Sequence, residues 1–244
     1  MIKFITIIFL LFLSATTGAC EDSPEIGSDD QNFKVKNVQV TNLKRFGINV
    51  WEIEVEGQAG ATIPTGVGQL DGAPVMGYVF PTSLKSTDVG FSVAEGILAL
   101  ALTSHPDFDD TPLWDENNDT SYDNDGVIWH AHWVLLVEDE RVAGGLAVRQ
   151  FDTNDAQVNL PPTNPGMPMF MDSPGFQVIT EGSFIRVVVP MYRMNNQTDF
   201  NYDAVAVYMQ VNTSNSDLPM LGVYEVYSVA SGDLSLPYSV EIEP

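Results

Sequence analysis

The apolar residues of this 244-residue chain fall into short runs separated by clusters of Gly, Pro, Asn and Asp, and this pattern limits the folds that it can adopt. Short strands interrupted by turn residues are typical of antiparallel sandwiches and barrels. We therefore predict an all-β fold: a single antiparallel β-sandwich or barrel-like domain over residues 31–244, with a long acidic loop. The runs rich in β-branched and aromatic residues are 33–41, 48–55, 127–137, 141–148, 184–189, 204–211 and 223–229. A hairpin is predicted over 137–142, whereas 91–102 fits a short helix or a buried strand equally well.

The charge balance excludes several classes of partner. The chain has 10 Lys and Arg against 33 Asp and Glu, for a net charge of −23. Such a surface repels polyphosphate, so we expect no nucleic-acid binding and no attraction of the domain itself to anionic lipid. The single cysteine, Cys20, excludes disulfides within the chain, thiolate zinc fingers and cysteine-ligated iron–sulfur clusters.

The first thirty residues predict export and a lipid anchor. Residues 1–19 combine a basic tip at Lys3, a short apolar run and small residues, as a signal peptide does. The stretch ending at Cys20 resembles the lipobox of bacterial lipoproteins, although Thr17 stands where that family prefers Leu. The resemblance implies lipidation of Cys20 and anchoring by acyl chains; the alternative is ordinary secretion with an unpaired cysteine.

Residues 20–30 continue from this cysteine as an acidic segment with Pro and Gly, which predicts a flexible tether. The acidic tract resembles the surface-export signal of Bacteroidota lipoproteins. We therefore expect an outer-membrane lipoprotein of the bacterial cell envelope, facing either the periplasm or the outside.

The three histidines predict a metal site. On a strand, His130 and His132 face the same side with Cα atoms roughly 6.5–7 Å apart, so their imidazoles can converge on one ion. The opposite face carries Trp129 and Trp133, which we expect in the core, so the histidines are expected to face outward. His105 is the natural third ligand. The alternative is a solvated His-X-His pair that binds nothing.

Copper is the first candidate ion and zinc the second. Imidazole suits both, and equilibrium affinity is highest for copper(II). Met167, Met169 and Met171 stand at alternate positions, and thioethers are soft ligands that favour copper(I). The alternative is that these methionines fill irregular gaps in the core.

The segment between His105 and His130 predicts a second, calcium site. Residues 106–126 hold eight carboxylates and no basic residue, and hard oxygen ligands on a turning loop are what calcium requires. The pattern departs from an EF-hand loop, because Thr120 stands at its glycine position and Gly126 at its glutamate position. A solvated polar loop is the alternative. The candidate ligands are Asp115, Asn117, Asp119, Asp123 and Asp125.

The segment 104–116, followed by the strand with His130 and His132, resembles the copper-repressible surface proteins of methanotrophs. That family consists of secreted β proteins that bind copper through histidines and a tryptophan oxidised to kynurenine. The resemblance covers at most residues 90–150 and implies that His130, His132 and His105 are copper ligands. Of the tryptophans in this stretch, none is matched to the modified position.

Three functions follow from these features. The first is a tethered copper-binding protein that sequesters, senses or delivers the ion, with no other partner implied. The second is an adhesion or glycan-binding module with structural calcium. The third is a zinc metalloenzyme, for which three imidazoles with an open position suffice to activate water. An enzyme also needs a general base and a substrate pocket, and the sequence indicates neither. The aromatic residues that could line an adhesive surface are Tyr202, Tyr208, Tyr224 and Tyr227.

Overall fold

A computed structural model describes residues 32–57, 70–105, 120 and 129–243. The helices that it describes are three 3₁₀ turns, Lys44–Phe46, Ser86–Val89 and Met191–Met194. The prediction of an all-β fold is confirmed. The strands are β1 (Val35–Leu43), β2 (Ile48–Val55), β3 (Pro74–Pro81), β4 (Ile97–Ser104), β5 (His130–Glu138), β6 (Leu146–Val148), β7 (Met171–Asp172), β8 (Gln177–Glu181), β9 (Phe184–Pro190), β10 (Asn201–Tyr202), β11 (Val205–Val211), β12 (Leu221–Val229), β13 (Tyr238–Ser239) and β14 (Glu241–Glu243).

Six strands close into an antiparallel barrel. Their order is β4-β3-β11-β12-β6-β5, and β5 pairs back onto β4. The closing ladder runs from Ile97 opposite Leu136 to Thr103 opposite His130. The two-residue strand β7 pairs with β5 at Trp133 and Val134 and so extends the wall beside β6. The short strand β6 closes the ring: it pairs with β5 at Leu136–Glu138 and with β12 at Gly222.

A second sheet, of order β14-β1-β2-β9-β8, packs against one side of the barrel. Its strand β2 alternates between buried and half-buried residues, as expected for a sheet with one covered face. The Trp51 ring of β2 lies 5.9 Å from that of Trp133 on β5 and 5.3 Å from that of Phe80 on β3. Barrel strands on this side therefore bury both faces, one toward the second sheet and one toward the barrel interior.

The barrel interior is filled by small and medium apolar side chains. Val75 and Val79 of β3 alternate with Gly77, which faces Val207 on β11. A Cβ added at Gly77 would meet the Met209 methyl carbon at 2.7 Å, so the absence of a side chain leaves room for this methionine of the neighbouring strand β11. The outward residues of the same strands join the core under the second sheet.

The predicted strands match the observed ones except at a few places. The run 91–102 contains strand β4 rather than a helix. The predicted hairpin exists, since Glu138 pairs with Leu146, but the strand predicted from 141 begins only at Leu146. The intervening residues turn, with Gly145 at a φ of 72°. Six strands were not predicted: β3, β7, β8, β10, β13 and β14. Among the described residues no helix has the length and apolar character needed to cross a membrane.

Candidate metal centre

His130 and His132 point into the barrel. On the β4–β5 ladder, His130 lies opposite Thr103 and His132 opposite Ala101, both on the inward face. The two histidines are 3% and 2% exposed. The expectation of an outward chelating face was therefore wrong: β5 forms the wall between two cores, and its histidine face is the one that the barrel encloses. The tryptophan face is in the core as predicted.

His105 completes the cluster. It follows the end of β4, continuing the inward alternation of Ala101 and Thr103, and is 3% exposed. Its Nε2 lies 2.8 Å from the Nε2 of His130. The ring centroid of His130 lies 4.5 Å from that of His105 and 4.7 Å from that of His132. One ligand nitrogen from each of the three residues lies within 4.8 Å of the other two.

This spacing fits one tetrahedral ion with little rearrangement. Metal–nitrogen bonds of 2.0–2.1 Å place tetrahedral ligand atoms about 3.4 Å apart. The closest pair, His105 and His130, would separate by about 0.6 Å, and the widest nitrogen pair would draw together. Rotations of the rings about their side-chain bonds supply such shifts. The donor set is three imidazoles with a fourth position left for another ligand.

Burial keeps His132 in the form that binds metals. Desolvation of its ring, with a smaller contribution from the charge of His105, lowers the pKa of His132 from 6.5 to about 3. The ring is therefore neutral at physiological pH and binds an ion without first losing a proton.

Ser173 contacts the His132 ring through a hydrogen bond at the ring nitrogen Nδ1. Its Oγ lies 2.7 Å from His132 Nδ1, and Ser173 is 1% exposed. A partner on Nδ1 leaves Nε2 for a metal, the arrangement found for many metal-bound histidines. The Ser173 N–H donates to the Thr163 carbonyl at 3.0 Å, which fixes the serine in place. Sequence reasoning missed Ser173, because pairing of β7 with β5 brings it from 41 residues away.

Thr103 is the second residue that sequence reasoning missed. It is 3% exposed, and its hydroxyl has no hydrogen-bond partner among the described residues. The residue lies opposite His130 and lines the same cavity as His105 and His132. The period-2 pattern from Ala101 to His105 could have indicated it.

The methionines lie in the barrel core. Met171, opposite Val134 on β5, and Met167 line the cavity that His132 also lines. Met169 is fully buried in the same apolar cluster. All three therefore have the core-filling position that was the alternative, and coordination of copper by any of them stays a prediction.

The remaining candidate residues divide into two groups. Tyr202 is not surface-exposed: it is 2% exposed, and its hydroxyl accepts the Val40 N–H at 2.8 Å, so it cannot line an adhesive face. Tyr208, Tyr224 and Tyr227 are half-buried strand residues. Cys20 and the candidate calcium ligands Asp115, Asn117, Asp119, Asp123 and Asp125 lie outside the described residues, so lipidation and calcium binding stay predictions.

None of the family models, curated proteins or solved structures compared with this chain matches it. The likeness to the copper-repressible surface proteins therefore stays a prediction from the sequence.

Proposed function

We propose that this protein binds one transition-metal ion, copper, through His105, His130 and His132. The observation that carries the proposal is the convergence of three buried imidazoles within 4.8 Å. Polar rings that are removed from water need compensating interactions. A bound ion would satisfy one nitrogen of each ring at once.

The donor type selects the class of ion. Imidazole nitrogens suit copper, zinc, iron and nickel, whereas calcium and magnesium require oxygen ligands. Copper is favoured over zinc because its intrinsic affinity for such sites is higher and because the thioethers of Met167 and Met171 face the same cavity.

The surroundings of the site support binding rather than hydrolysis. A zinc hydrolase needs a base beside the metal-bound water. Among the described residues that line the cavity, none is a carboxylate, lysine or arginine. We therefore infer that the protein holds or transfers its ion. The adhesion alternative depends on a calcium loop that lies outside the described residues.

The location of the protein follows from its first thirty residues. A signal peptide, lipidation of Cys20 and the acidic tether at 20–30 would place the metal centre on the outer membrane of a bacterial envelope, held by acyl chains alone. The excess of 23 negative charges would attract cations to this domain.

The test is the metal content of the Cys20→Ser chain, purified without added metal or chelator and measured by plasma mass spectrometry. We expect close to one copper ion per chain, lost in the His130→Ala/His132→Ala double variant. The matched control is Asn49→Ala, a buried polar residue outside the cluster, which should keep its copper. Zinc in place of copper would change the ion but keep the site. Equal metal in wild type and double variant would refute the proposal.

A further inference from the structure

The barrel encloses an apolar cavity whose inner end is the histidine cluster. Its volume is about 60 Å³. A water molecule needs at least about 10–15 Å³ of such space, so a molecule of a few non-hydrogen atoms fits. The only polar side chains among its described lining residues are Thr103, His105 and His132. The rest are apolar side chains and one glycine.

A second cavity, of about 290 Å³, lies at the opposite end of the barrel. Val79, Leu136 and Val205 line both cavities. Along β5, Leu136 is four residues, or about 13 Å, from His132. The two cavities therefore adjoin within the barrel.

Leu234 stands between the two cavities and lines both, whereas Leu236 lines only the outer one. Both leucines have left-handed backbone conformations, with φ of 58° and 56°, which are strained for a residue with a side chain. Their segment is tied down by buried Asp203, whose carboxylate accepts hydrogen bonds from the N–H and hydroxyl of Ser231. The fold therefore holds the Leu234 side chain beside both cavities despite the backbone strain.

The Thr103 hydroxyl is buried and has no hydrogen-bond partner in the part of the chain that the structure describes. A buried donor without a partner is uncommon and costs stability, so it indicates a group that is absent from the bare chain. Thr103 lies opposite His130 and lines the same cavity as His105 and His132. A charged ligand is disfavoured, because the apolar walls would desolvate it without compensation.

Resting on the proposed function, we propose that this cavity is a binding site for a small uncharged ligand of two or three non-hydrogen atoms, of the class of the diatomic gases. The ligand coordinates the metal ion at its fourth position and accepts a hydrogen bond from Thr103. It reaches the ion from the outer end of the barrel, past Leu234.

The first experiment tests the cavity without metal. Xenon is added under pressure to the chelator-treated Cys20→Ser chain, and methyl resonances are followed by NMR. We expect saturable shifts for interior methyls such as those of Val75 and Val207, and none for Ile53 or Val187 of the second-sheet core. Absence of interior shifts would overturn the proposal.

The second experiment tests the coordinated ligand. The copper(I) form is exposed to carbon monoxide, and the C–O stretch is recorded by infrared spectroscopy. We expect one bound carbon monoxide per copper and, in Thr103→Val, an upward shift of the band at unchanged copper content, because the hydrogen bond to the ligand oxygen is lost. Unaltered frequency in Thr103→Val, or no carbon monoxide bound to a copper-loaded chain, would overturn the proposal.

The third experiment tests the route. Leu234→Gly removes the side chain that lines both cavities and relieves the backbone strain at this position. Carbon monoxide should therefore rebind to the copper ion several-fold faster after photolysis. Leu236→Gly relieves the same kind of strain outside the inner cavity and should leave the rate unchanged. Equal rates in wild type and both variants would overturn the route. Failure of the chain to hold copper would overturn the proposed function and the coordination step, while the xenon result still reports on the cavity alone.

Discussion

Replacing His132 with Asn should reduce the loss of unfolding free energy that the metal-free protein undergoes as the pH is lowered. The folded protein holds the pKa of His132 at about 3, whereas the unfolded chain has the ordinary value of 6.5. Between pH 6.5 and pH 3, the His132 ring is protonated in the unfolded state but stays neutral in the folded state. The free energy of unfolding therefore falls as the pH is lowered through this range. Above pH 6.5 the ring is neutral in both states and contributes no pH dependence.

The size of the effect follows from the two pKa values. The full difference corresponds to about 5 kcal/mol once the pH is below 3, and between pH 8 and pH 5 the loss is about 2 kcal/mol. An Asn amide at position 132 does not titrate and still places a polar atom near Ser173. When the pH is lowered from 8 to 5, the free energy of unfolding of the variant should therefore fall by about 2 kcal/mol less than that of the wild type.

The assay is urea unfolding at pH 8 and pH 5 with a chelator present, followed by tryptophan fluorescence. Carboxylates titrate alike in both proteins and cancel in the comparison. Thr103→Val is the matched control, because it alters the same cavity without removing a titrating group, and it should keep the wild-type pH dependence. A His132→Asn variant with the same loss as wild type would refute the argument that the ring is buried as a neutral group.

Three further outcomes are expected. Copper or zinc at 100 times its dissociation constant should raise the free energy of unfolding by about 2.7 kcal/mol, measured by denaturant unfolding, and the stabilisation should vanish in His130→Ala; an equal gain in that variant would place the ion elsewhere. Trp51→Ala should lower the free energy of unfolding by about 3–5 kcal/mol, because the Trp51 ring is fully buried against Trp133. Phe46 is 71% exposed, so Phe46→Ala should change the free energy of unfolding by less than about 0.5 kcal/mol. Similar losses in the two variants would contradict this packing. Cys20→Ser should move the protein from the membrane to the soluble fraction on cell fractionation, and retention in the membrane would rule out the lipid anchor.

The convergence of the histidines could be predicted from the sequence, but their burial could not. Strand alternation places His130 and His132 on one face, and His105 lies only 25 residues away, at the end of the neighbouring strand. Alternation does not say which face of a strand is covered. The burial of both faces of β5 requires the closure of the barrel and the docking of the second sheet, and neither is visible in a local pattern.

The missed elements have physical reasons of a similar kind. Strand β3 begins and ends with proline and contains Gly77, features that normally argue against a central strand. The whole strand is nonetheless buried after its first residue, because neighbours on both sides pair with it. Strand β7 has two residues, too few for any periodicity. Ser173 therefore follows from long-range pairing alone.

His130 and His132 lie on β5 and His105 directly follows β4, and these two strands pair with each other and are consecutive among the described strands. Pairing segments this close in the chain costs less loop-closure entropy than pairing β11 with β3, whose partners are more than 120 positions apart, so we expect the β4–β5 contacts to form first. An ion can therefore bind the nascent hairpin while the barrel is still open. Loading during folding would need no channel through the finished wall, and a chain folded without the ion would load more slowly than one folded in its presence.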